Sequence, residues 1–227
     1  MSILNVLEGF KDGLPDIFGL MAIEAKKISV GVVGLNVMGC RIIACLLMAG
    51  HKVVAVASVP NQMIFAESRI VEYFLLAKQA NHNPVPEHYL KNLLITENYS
   101  ILKSCRIVIE CNADRPEVKT AVYSKIESEI KDDTILVTNT PVLVIDDLQK
   151  LSRRPDRFFG LFWIEPLYMK GPPKVVRGLK SNLEMGNYLT VVSRLWGKSS
   201  ADRANQQSKY AAYREHLIFL KSHQHPR

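Results

Sequence analysis

The chain has 227 residues, of which 48% are hydrophobic and 22% charged, a balance that supports a buried core and argues against disorder. The formal net charge is +7, and residues 150–227 hold 15 basic against 5 acidic groups. Those cations are scattered instead of packed in a run, which reads as a solvated basic face and not as a nucleic-acid site.

Residues 1–25 look like an appended arm, broken by Gly9, Gly13, Pro15 and Gly19. With one Lys against four acidic residues (Glu8, Asp12, Asp16, Glu24), the arm does not resemble a mitochondrial presequence. No apolar run reaches the roughly eighteen residues of a membrane-spanning helix, so no membrane partner is expected. Cys40, Cys45, Cys105 and Cys111 lack zinc spacing, and the expectation is reduced, buried thiols in a cytoplasmic protein.

Regular structure begins with Ile28–Val33, a short continuous apolar run typical of a buried parallel strand. A glycine turn follows, then a helical pattern over Val37–Ala49 that stops at Gly50, then a second buried strand at Val53–Ala57. Strand, glycine turn, helix and strand in about thirty residues make a βαβ unit. Ile64–Gln79 has helical spacing, and the stop at residues 81–84 makes it one arm of a helical hairpin with Glu87–Leu94. Beyond it the pattern predicts a strand at Arg106–Glu110, a helix over Pro116–Ile130 and a strand at Thr134–Thr138. Two short strands at Phe158–Trp163 and Lys174–Arg177 and a helix over Leu183–Leu195 complete the body. This alternation predicts an α/β fold: a Rossmann-like, doubly wound, mostly parallel sheet with helices on both faces, spanning residues 26–198. The basic tail, residues 199–227, carries Tyr210, Tyr213, Leu217 and Leu220 on one helical stripe.

The turn reads Gly34-Leu35-Asn36-Val37-Met38-Gly39, G-x-N-x-x-G where a dinucleotide fingerprint has G-x-G-x-x-G. Gly34 suits the tight turn and Gly39 the close helix–strand packing. Asn36 puts a side chain where a pyrophosphate approaches the backbone, although Asn tolerates positive φ. The second strand ends in Ala57-Ser58 with no carboxylate for ribose hydroxyls, and no Arg follows within reach to hold a 2′-phosphate, so a switch to NADP is not expected.

Together with Ala49-Gly50-His51, Val108-Ile109-Glu110 leading to Lys119, Asn139-Thr140, and Arg153–Phe158 leading into Gly160-Leu161, these pieces resemble the NAD-binding domain of 3-hydroxyacyl-CoA dehydrogenases over Lys27–Lys198. The resemblance implies NAD(H) as cofactor, with Gly34, Asn36, Val37, Met38, Gly39, Glu110, Lys119 and Asn139 around it. It also implies a catalytic His in Gly-Leu-His-Phe-Phe-Asn-Pro, oriented by a Glu twelve residues on. This chain reads Gly160-Leu161-Phe162-Trp163-Ile164-Glu165-Pro166, so Phe162 stands at the His position and Lys174 at the Glu position. A phenyl ring cannot move a proton. The family's Asn-Thr-Ser-Ser is Asn139-Thr140-Pro141-Val142, and the family's helical second domain is expected to be missing.

No catalytic residue is therefore assigned. The reading favoured by these departures is a catalytically inactive dinucleotide-binding or protein-interaction module. The alternative is an active NAD-dependent dehydrogenase with an altered site. Two smaller expectations accompany it: Glu165 and Lys174 form a structural ion pair, and Trp163 fills the space that substrate would occupy.

Overall fold

A computed structural model of the chain describes residues 28–79, 85–140, 143–165, 167 and 171–196. The arm, the tail stripe, residues 81–84 and the Pro141-Val142 pair lie outside the described residues. Five strands of Val, Ile, Leu and, in the last, Phe are buried because their apolar side chains pack on both faces of the sheet. They are β1 (Ser29–Val33), β2 (Lys52–Val56), β4 (Ile107–Glu110), β5 (Ile135–Asn139) and β6 (Phe158–Phe162). With β3 (Leu93–Thr96) and β7 (Lys174–Arg177) they form one sheet in the order β3-β2-β1-β4-β5-β6-β7. All pairs are parallel except β6–β7.

Helix α1 (Val37–Met48) starts on Asn36, whose side-chain oxygen accepts the Gly39 N–H at 2.9 Å. It ends in a left-handed Gly50 (φ 95°), with Gly50 N–H bonded to Leu47 and His51 N–H to Leu46, so that the last carbonyls are satisfied. The remaining helices are α2 (Ala66–Gln79), α3 (Pro86–Leu90), α4 (Pro116–Glu127), α5 (Ile145–Gln149) and α6 (Leu183–Ser193). Two hydrophobic clusters divide the core. One joins α1, α2 and α6 to one face of the sheet, and the other joins α4, α5 and the 3-10 turn Tyr99–Ser104 to the opposite face. The predicted α/β class, with helices on both faces, is the observed one.

Local corrections are few. The second arm of the hairpin is only the short helix α3, and Leu93–Thr96 is a parallel edge strand on β2. A four-residue apolar run carries no period that distinguishes helix from strand; the open edge of β2 decides it. The first arm starts as a 3-10 turn at Gln62–Phe65 before α2 takes over.

Candidate dinucleotide site

The strand order reverses direction at β1 and β4, and the crevice beyond their carboxyl ends is where open α/β sheets bind ligands. The glycine turn lies there. Gly34 has φ 102°, and a Cβ on it would meet the Cys111 carbonyl and the Asn112 side chain at 2.9 Å. A Cβ on Gly39 would run into the Gly34 carbonyl, so both positions require glycine.

Asn36 is exposed but sits in extended backbone (φ −73°), so its tolerance of positive φ is not used. Its amide folds back: the oxygen caps α1, and the nitrogen donates to the Cys111 carbonyl at 2.5 Å. Val37 is exposed and Met38 half-buried in the first turn of α1, where backbone N–H groups have no internal helical acceptor. The turn can therefore hold a pyrophosphate at a helix N-terminus.

The ribose corner was not legible in the sequence. The Gln62 side-chain oxygen accepts the Leu35 N–H at 3.1 Å and the Ser58 N–H at 3.0 Å, and lies 3.3 Å from the Ser58 hydroxyl. Asn112 braces the same corner through Ser58 Oγ and through the Val33 carbonyl, to which it donates at 3.2 Å. Arg69, on α2, donates to the Leu35 carbonyl at 3.4 Å and stacks over the Phe65 ring at 5.8 Å. Arg69 is 34 residues from Leu35 in sequence, and α2 packing on α1 brings it back to the turn. A neighbouring cavity of about 380 Å³ is lined by Ala57–Pro60, Tyr99 and Lys125, with Glu97 and Glu129 also on its walls.

Glu110 and Lys119, expected around the cofactor, are both fully buried behind the turn. The Lys119 ammonium donates to Glu110 at 2.8 Å and to the Thr138 hydroxyl at 3.2 Å, and lies 3.2 Å from Asp114. Glu110 also accepts the Asn112 N–H at 2.6 Å, so the pair positions the loop that follows β4. Tyr123 donates to Thr138 at 3.0 Å; burial and, next, the Glu110 charge push its phenol up. Asn139 ends β5 and is half-buried, two strands from β1.

Phe162 ends β6 and lies directly across from Lys174 on β7, both exposed. Glu165 does not pair with Lys174; it binds Arg41 of α1 at 3.0 Å, because the chain turns back over α1 after β6. Trp163 does not fill an outer site either. It is 6% exposed, belongs to the core cluster, and stacks on Trp196 at 5.9 Å with an interplanar angle of 10°. Trp196 in turn donates to the fully buried His51 at 2.8 Å. All four cysteines are free and buried. Among the described residues no His, Cys, Asp and Glu group is placed to hold a metal ion, and no helix is long and apolar enough to cross a membrane.

Residues 29–202 match the family of the 3-hydroxyacyl-CoA dehydrogenase NAD binding domain. The fatty acid oxidation complex subunit alpha of Pseudomonas putida is 37% identical over 87 residues, which is 38% of this chain but 12% of that protein. Among solved structures, the E. coli K12 3-hydroxybutyryl-CoA dehydrogenase superposes with TM-score 0.67 at 25% identity, covering 76% of this chain and 37% of that one. FadB2 of M. tuberculosis has the same fold at TM-score 0.68 and 24% identity, covering 74% of this chain and 62% of its own. The chain thus spans less than two thirds of the length of these relatives.

Proposed function

The chain belongs to the 3-hydroxyacyl-CoA dehydrogenase NAD-binding domain family, and from that premise we propose that it is a catalytically silent module that binds a nicotinamide dinucleotide. The observation that carries this reading is the Phe162–Lys174 cross-strand pair. The resemblance puts a His–Glu dyad at these two positions; Phe162 has no titratable group, and Lys174 has no carboxylate with which to orient an imidazole. A missing general base costs on the order of 10²–10⁴ in rate. Arg41 and Glu165 do not replace it, since they hold each other in an ion pair.

The binding half of the reading rests on the turn. Gly34 and Gly39 leave the backbone bare, α1 begins there, and Asn36 turns its amide away into the cap and the Cys111 carbonyl. We assign Gly34, Val37, Met38 and Gly39 to the pyrophosphate. Glu110 and Lys119 act from behind, through the Asn112 loop, as positioning residues. We assign the binding body to residues 26–198.

The test pairs calorimetric titration with NAD(H) and NADP(H) with an assay of dinucleotide-dependent acetoacetyl-CoA reduction. Binding heat without turnover is the expected result. Turnover at rates of an intact dehydrogenase would make the chain an enzyme with an altered site. Absence of heat from every dinucleotide would leave protein interaction as its role.

A further inference from the structure

Two backbone donors converge on one oxygen in the ribose corner: the N–H groups of Leu35 and Ser58 both meet the Gln62 side-chain oxygen, while the Ser58 hydroxyl donates to the Asn112 side-chain oxygen. Such a cluster is a ready oxyanion site. Two further observations say what kind of oxygen it takes. The strand end carries Ala57, so the strand itself supplies no carboxylate to accept ribose hydroxyls. The Arg69 guanidinium is anchored on the carbonyl of Leu35, the same residue whose N–H faces the corner.

We infer that this corner is a phosphate-monoester subsite, formed by Leu35, Ser58 and Arg69, that selects the 2′-phosphate of NADP(H) over the free 2′-hydroxyl of NAD(H). This rests on the dinucleotide-binding reading above. Gln62 holds the subsite in the absence of ligand. Its amide oxygen is neutral, and a phosphate dianion that displaces it gains charge-assisted bonds to the same two N–H groups and to Arg69. Arg69 starts half-buried on a long side chain, with a single 3.4 Å bond to give up, so swinging onto a phosphate costs it little. Glu97 and Glu129 oppose a phosphate in the adjoining cavity, but Lys125 is on the same wall. The discrimination therefore falls to Arg69 and the convergent donors.

Calorimetry of the full chain with NADPH, NADH, 2′,5′-ADP and AMP tests this. NADPH should bind at least tenfold tighter than NADH, and 2′,5′-ADP tighter than AMP by a similar factor. Arg69→Ala should abolish that preference by bringing the NADPH affinity down to that of NADH in the same variant, and Gln62→Ala should tighten NADPH further. The circular dichroism spectrum of each variant confirms that it is folded. NADH binding as tight as NADPH, or a preference that survives Arg69→Ala, overturns the subsite and leaves the dinucleotide reading intact. Failure of all four ligands to bind wild type and Gln62→Ala overturns both.

Discussion

The Lys119 ammonium and the Glu110 carboxylate meet at 2.8 Å with neither side chain exposed to solvent. Removing one member of such a pair strands the other charge in the core, at a cost of about 3–5 kcal/mol. Lys119→Met is therefore expected to destabilise by that amount in urea denaturation. Glu110→Gln should cost less, because an amide oxygen can still accept the Asn112 N–H. The double variant should recover part of the loss. A Lys119→Met cost below about 1 kcal/mol would show that the pair does not hold the β4 loop.

Asn36→Gly restores the usual glycine pattern of the turn. It removes the cap, at a few tenths of a kcal/mol, and the bond to the Cys111 carbonyl, at about 1 kcal/mol. The expected outcome is a small loss of stability with several-fold tighter dinucleotide binding, because the backbone becomes approachable. Denaturation and calorimetry on the same preparation separate the two. Weaker binding would mean that the Asn36 amide itself contacts the ligand.

Burial pushes the thiols of Cys40 and Cys105 up to about 11 from an ordinary 9.0, and raises those of Cys45 and Cys111 as well. The folded chain keeps these protons where the unfolded chain has lost them. Their contribution to stability is complete below pH 9 and declines as the pH climbs from there through the folded values. Urea midpoints should fall between pH 8 and pH 10.5, and a Cys40→Ala, Cys105→Ala variant should fall less. At pH 8 iodoacetamide should leave the native thiols unlabelled and modify all four on unfolding.

Positions 162 and 174 face each other across β6 and β7, which sets the titration of any imidazole introduced there. In Phe162→His the Lys174 ammonium should hold the imidazole below its usual pKa of about 6.5. In Phe162→His, Lys174→Glu the carboxylate should raise it above that value. The added stability of the double variant is then present below the unfolded pKa and is lost as the pH rises through the folded one. Proton NMR titration of the two variants reads the sign directly. Identical values would show that the two side chains do not meet.

Much of the fold was written in local pattern. The buried runs of β1, β2, β4 and β5, Gly50 after α1 and Pro116 at the start of α4 each act within a few residues, so spacing alone exposes them. The glycine turn belongs to the same class, since Gly34 and Gly39 answer to their immediate backbone. Leu93–Thr96 was misread because an edge strand is decided by the neighbour it pairs with.

The sequence by itself therefore determined the doubly wound architecture, the family, and the absence of a titratable group at position 162. Only the tertiary structure decided what surrounds the turn. It took chain reversals to bring Gln62 onto the Leu35 amide, Arg69 back to Leu35, Arg41 to Glu165, and Trp163 onto Trp196. Each of those contacts joins segments far apart in the chain, and short-range spacing carries no record of it. Glu110 and Lys119 show the reverse case, legible as residues of a site but placed by burial behind it, where an ion pair is held together by exclusion of water.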